Sequence, residues 1–195
     1  MIQDIWPKHL DNQYKNLKPG NEDTVFYFQG SSLLARPSGH FNSQNPEENV
    51  LIYPQYDEFV QGIKSSYGDK AVDNFEFIYL LSIDEEHFFL ARKTGSLERG
   101  TFLGEMADSA VHKDMYSFVR GYEFIGVDSF RKAQPREHAY AAITAFHLYG
   151  WYRDNHFCGR CGKPLKHDDK QRMLRCDCCK NMVFCLLYTS PSPRD

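Results

Sequence analysis

Between positions 24 and 92 the apolar residues come in short, dense runs separated by turn residues. Val25, Phe26, Tyr27 and Phe28 follow Thr24 and are closed by Gln29 and Gly30, and Leu33, Leu34 and Ala35 resume the pattern. Segments 24–28 and 32–36 therefore read as the two strands of a hairpin. A polar loop over 37–49, with Pro37, Gly39 and Pro46, precedes a short strand at 50–53 that Pro54 ends. Positions 57–67 predict a helix stopped by Gly68. The strongest strand signal is 75–83, where Phe75, Phe77, Ile78, Tyr79, Leu80, Leu81 and Ile83 leave few polar positions. Asp84, Glu85 and Glu86 turn the chain, 87–92 returns as the antiparallel partner, and 93–95 closes the unit.

The flanks follow other patterns. Residues 1–22 are polar, punctuated by Pro7, Pro19 and Gly20, and read as an irregular lead-in. Within 100–134 the pattern is mixed, with a helical turn read at 115–121 and a strand at 124–127. From Pro135 the period becomes helical: Ala139, Ala142, Ile143, Phe146 and Tyr149 recur three or four apart, and Ala141, Ala145, Leu148 and Tyr152 widen the apolar face. Pro135 suits a first helical turn, where a missing N–H costs little. The helix runs out over 153–156, directly before a cluster of cysteines. The predicted fold class is α+β: a mixed, largely antiparallel domain over 1–134, a connecting helix over 135–157, a small ribbon over 158–184, and a tail over 185–195.

Composition adds bounds. In 195 residues, 42% apolar and 15% aromatic content supplies a core for one or two domains. The net charge of −3 gives no global pull toward nucleic acid or an acidic membrane. It is unevenly spread. Residues 158–184 hold Arg160, Lys163, Lys166, Lys170, Arg172, Arg175 and Lys180 against Asp168, Asp169 and Asp177, a net of +4 that leaves −7 on residues 1–157. An acidic body beside a basic ribbon fits an anionic ligand near the ribbon, a ribbon–body contact, or a solvated surface. The N-terminus has no basic region followed by an apolar run, so no signal peptide is read, and no apolar segment reaches membrane-spanning length.

The candidate chemistry lies in Cys158, Cys161, Cys176 and Cys179. Two Cys-x-x-Cys pairs stand 14 residues apart, and the spacer can form a hairpin that returns the second pair to the first. Four thiolates so spaced fit a closed, tetrahedral structural Zn²⁺ site, with no open position for a substrate. Four buried free thiols, two disulfides, or an iron site for electron transfer are the alternatives. All six cysteines lie in the last third of the chain, which fits a metal site in a reducing cytoplasm better than a disulfide framework. Gly159 and Gly162 suit the first knuckle, whereas Lys180 stands where the second would commonly have Gly. Cys178 adds a thiol that could compete for the metal. His138, His147 and His156 are expected to be packed or surface residues, since four cysteines complete the site.

Residues 141–164 (with Ala141, Phe146, His147, Tyr149, Trp151, Asn155, Cys158, Cys161 and Pro164), then Arg172 to Cys176 and Asn181 to Phe184, resemble the NADH pyrophosphatase family of Nudix hydrolases, of the NudC type. The resemblance implies a Nudix-like non-catalytic domain over 1–134, a zinc ribbon with Cys158, Cys161, Cys176 and Cys179 as its ligands, and then a catalytic Nudix domain. That last domain would cleave NAD(H) to NMN(H) and AMP with Mg²⁺ or Mn²⁺, in some members also on NAD-capped RNA, within a cytoplasmic homodimer. The box G-x5-E-x7-R-E-U-x-E-E-x-G-U is absent here. Its register on Arg136 and Glu137 puts Tyr122, Asp128, Tyr140 and Ala141 where the first Gly and three glutamates belong. The chain is thus expected to be a fragment lacking the catalytic domain, inactive alone, with a tail over 185–195 that looks like adapter sequence. The competing expectation is a stand-alone zinc-ribbon module that binds nucleic acid or a protein, with Tyr149, Trp151, Tyr152 and Phe157 as stacking groups. Their helical spacing more simply marks core, and nucleic-acid binding is not expected.

Overall fold

The structure is a computed structural model that describes residues 5–39, 49–93, 118–130 and 133–185. Its body is a sheet of seven strands: β1 (Leu10–Asp11), β2 (Thr24–Gln29), β3 (Ser32–Pro37), β4 (Leu51–Ile52), β5 (Phe75–Ile83), β6 (Glu86–Lys93) and β7 (Glu123–Gly126). They are ordered β1-β5-β6-β2-β3-β4, with β7 also paired to β3. Every pairing is antiparallel except β2 with β6, which run parallel from Thr24↔Phe88 to Tyr27↔Ala91. The helices are α1 (Tyr56–Tyr67), α2 (Val127–Phe130) and α3 (Arg136–Asp154), and a 3₁₀ segment, Asp69–Asn74, links α1 to β5. This is the mixed α+β fold that the sequence predicts.

The dense apolar runs have a simple cause, because the sheet is covered on both faces. Val25, Leu34, Tyr79, Phe89 and Ala91 pack with Phe59 and Ile63 of α1. Their alternates Phe26, Phe28, Leu33, Ala35, Ile78, Leu80, Phe88 and Leu90 pack with Ala141, Ala142, Ala145, Leu148 and Tyr152 of α3. A strand buried on both sides has no polar face to show. The alanines of α3 are almost wholly buried, and their small side chains let the helix lie close to the aromatic rings of the sheet. The pairing of β5 with β6 slips between Tyr79 and Leu81, a bulge that puts both Leu80 and Leu81 on the α3 side.

Several expectations need correction. The lead-in is not wholly irregular. β1 pairs with the end of β5, His9 N–H donates to Asp84 Oδ1 at 2.8 Å, and Lys8 Nζ lies 3.3 Å from Asp84 Oδ2. A two-residue strand carries no periodicity to read. The turn after β5 is shorter than predicted, because Asp84 takes a left-handed φ of 52° and Glu86 already belongs to β6. The helical turn read at 115–121 lies partly outside the described residues, and 118–121 is a non-helical bend and turn. Pro135 caps α3 in an extended conformation (ψ 150°) one residue before its first turn, and the helix ends at Asp154. Among the described residues, no helix is long and apolar enough to cross a membrane.

Candidate metal centre

α3 hands the chain directly to the ribbon, a three-stranded antiparallel sheet of β8 (Leu165–His167), β9 (Met173–Cys176) and β10 (Met182–Phe184) in the order β10-β9-β8. The two cysteine pairs form matching turns. Gly162 N–H donates to Cys158 O at 2.8 Å, and Lys180 N–H to Cys176 O at 3.0 Å. Cys158 N–H donates to Lys163 O at 2.8 Å, and Cys176 N–H to Asn181 O at 2.9 Å. Gly162 and Lys180 occupy the same left-handed step, with φ of 69° and 58°. A side chain there is strained, so Lys180 holds a conformation that glycine would adopt freely.

These turns aim four sulfurs at one point. Cys158 Sγ lies 3.5 Å from Cys179 Sγ, Cys161 Sγ lies 3.4 Å from Cys176 Sγ, and all four fall within 4.8 Å of one another. A tetrahedral zinc with bonds near 2.3 Å needs sulfurs about 3.8 Å apart. The donor set and its spacing therefore fit Zn²⁺, and four thiolates would close its coordination shell. Cys178 does not join them. It stands at the position equivalent to Arg160, its side chain is exposed, and its backbone N–H favours the Cys176 thiolate instead.

The surroundings prepare the sulfurs for a metal. In each knuckle the amides two and three residues on face the first sulfur, and the amide two residues on faces the second: Arg160 and Cys161 serve Cys158, Lys163 serves Cys161, Cys178 and Cys179 serve Cys176, and Asn181 serves Cys179. As free thiols the pairs share protons, which splits their acidity. Burial opposes ionisation of Cys158, but the two amides and the Cys179 thiol bring it down to about 6. The Lys163 amide favours the Cys161 thiolate, but its contact with Cys176 pushes it up to about 12. Cys176 follows the first pattern, lowered chiefly by the Cys179 amide. Cys179 follows the second: the Asn181 amide pulls it down, but burial and the Cys158 thiol hold it raised. A metal replaces the shared protons and leaves the amide donors facing thiolates.

The ribbon rests on the body. Leu174 is buried in the core beneath α3, with Leu165 and Val183 packed beside it. His167 lies between the rings of Tyr14 and Tyr152, at 5.4 and 5.7 Å. Arg172 donates to the carbonyl of Leu80. Two further basic residues are paired within the ribbon, Lys166 with Asp177 at 2.6 Å and Arg175 with Asp168 at 3.3 Å. Of the four aromatics considered for stacking, Tyr149 stacks on Phe28 at 5.3 Å, Trp151 packs against the core, Tyr152 is fully buried, and Phe157 alone is exposed. The histidines keep ordinary places. His138 Nε2 lies 2.7 Å from Glu86 Oε2, His147 lies beside Phe146, and the carbonyl of His156 accepts the Leu165 amide at 2.9 Å.

Among the described residues the carboxylates do not converge. Glu86 is engaged by His138, and Arg136 and Glu137 open α3 with Tyr140 and Ala141 following. Glu47 and Glu48 lie outside the described residues.

The family model of the NADH pyrophosphatase zinc ribbon domain matches residues 153–184. That span contains all four converging cysteines and begins in the last turn of α3. No curated protein matches the chain.

Proposed function

We propose that this chain is the non-catalytic body and zinc ribbon of an NAD(+)/NADH diphosphatase, an enzyme that hydrolyses the pyrophosphate of NAD(H) to NMN(H) and AMP. The observation that carries the reading is the paired knuckle itself, four sulfurs converging within a span that matches the NADH pyrophosphatase zinc ribbon. In this reading Cys158, Cys161, Cys176 and Cys179 hold a structural Zn²⁺, which fixes the ribbon's fold. Residues 1–134 serve as a Nudix-like scaffold. The diphosphate chemistry belongs to a glutamate-bearing Nudix domain outside these residues, where Mg²⁺ or Mn²⁺ would neutralise the diphosphate. The choice among NAD, NADH and NAD-capped RNA rests with that domain. A cytoplasmic homodimer completes the proposal.

The second reading is a stand-alone zinc-ribbon module for nucleic acid. Arg160, Lys163, Lys170 and Lys180 are exposed, which favours it, but three of the four aromatic groups are spent in the core. An oligonucleotide titration of the zinc-loaded chain separates the two. The proposal expects weak binding that vanishes as salt rises to physiological strength, since few phosphates can be neutralised at once. Tight, sequence-dependent binding that survives such salt would favour the second reading.

A further inference from the structure

We infer that the ribbon is a latch on the body, through which the metal state of the cysteine centre controls the bulged strand β5; the inference rests on the zinc reading proposed above. Cysteines and latch lie at opposite ends of one hairpin. Cys176 ends β9, and Arg172 directly precedes it at Met173. Four strand residues span about 13 Å. The far tip is built to present Arg172. Asp168 Oδ1 accepts the amides of Lys170 and Gln171 at 2.9 and 3.1 Å, Asp168 N–H donates to Met173 O at 3.0 Å, and Cys185 N–H donates to Arg172 O at 3.2 Å.

The body offers the matching acceptor. The slip between Tyr79 and Leu81 interrupts the β5–β6 ladder at Leu80, and the Leu80 carbonyl accepts Arg172 instead. Arg172 also lies over the Tyr14 ring at 5.8 Å, so one guanidinium joins the ribbon, the bulge and the lead-in that follows β1. No carboxylate pairs with it among the described residues, and burial lowers its basicity. Arg172 Nε, Tyr152 OH and His167 Nε2 are buried without a hydrogen-bond partner among the described residues. A half-buried cation held mainly by a backbone carbonyl is costly unless its position is enforced, and here the enforcing element is the hairpin that the cysteines close. When the knuckles open, the hairpin loses its anchored end and Arg172 can leave for water. The Leu80 carbonyl is then unbonded, and the β1–β5 edge loosens. Phe59 and Ile63 belong to the cluster under α1, which holds no ribbon residue, and should not respond.

The test is amide hydrogen exchange on the full chain, zinc-loaded and chelated, with zinc content measured for each sample. In the wild type, chelation should speed exchange at Leu80 to Asp84 and at Leu10–Asp11 by roughly tenfold or more, and leave Phe59 and Ile63 unchanged. Arg172→Met should keep zinc yet exchange fast at the same amides with or without chelator. Asp168→Ala, which loosens the tip and spares the guanidinium, should shift them the same way by a smaller factor. Zinc bound but β5 exchange indifferent to chelation, or both variants exchanging like wild type, would overturn the latch and leave the zinc reading intact. Absence of zinc from the wild type would overturn both.

Discussion

Replacing Cys161 with serine is expected to abolish zinc binding and unfold the ribbon, the largest single-residue effect in the chain. Four thiolates fill a tetrahedral shell, and the alcohol of serine is a far poorer ligand than a thiolate at neutral pH. Structural zinc in small modules contributes about 10–16 kcal/mol, and there metal binding and folding are one process. The ribbon has little else to hold it. Its strands are three or four residues long, and its apolar residues Leu165, Leu174 and Val183 face the body. The body should survive, because its sheet is buried between α1 and α3. Elemental analysis should give one zinc per wild-type chain and none for Cys161→Ser. Cys178→Ser is the control and should keep its zinc, since that side chain lies outside the cluster. Full occupancy in Cys161→Ser would contradict the ligand assignment.

The chain as it stands should not cleave NADH. Splitting a diphosphate requires its charge to be neutralised and a water placed for in-line attack, which Nudix enzymes achieve with several glutamates on divalent ions. Here the one Arg-Glu pair, Arg136 and Glu137, is followed by Tyr140 and Ala141 on a helix whose Ala141 face is buried against the sheet. Glu86 faces His138 rather than another carboxylate. A zinc saturated by four thiolates has no site for substrate or water. Incubation with NADH and Mg²⁺ or Mn²⁺ should yield no NMNH and no AMP above the uncatalysed control. Turnover that persists in Cys158→Ser would reveal a catalytic centre among residues 1–157.

Strands, hairpins and the cysteine cluster were legible because each leaves a local mark. Apolar runs bounded by Gly, Pro and acidic turns placed β2, β3, β5 and β6, and the two Cys-x-x-Cys pairs placed the sulfurs. Pairing between distant segments leaves no such mark. Nothing in Leu10 and Asp11 announces an edge strand on Ile83 and Ser82, and nothing in Thr24 to Tyr27 distinguishes a parallel partner from an antiparallel one. The junction was hidden for the same reason. Arg172 reads as one more surface cation, and His167 as a polar spacer residue, until the bulge at Leu80 and the rings of Tyr14 and Tyr152 are brought to them. The uneven charge allowed a ribbon–body contact as one of three readings, but Arg172 meets a carbonyl and a ring there, not an acidic side chain. Lys180 shows the reverse: its side chain argued against a knuckle, and the backbone nevertheless takes the left-handed step that the turn demands.

The most direct test is to read the gene past the codon for Phe184 and assay the protein it encodes. The proposal expects the frame to continue into a Nudix domain with the full glutamate box, and that protein, zinc-loaded and given Mn²⁺ or Mg²⁺, to convert NADH to NMNH and AMP. A continuation that carries the box but leaves NADH intact, or a native frame with no such box, would contradict it.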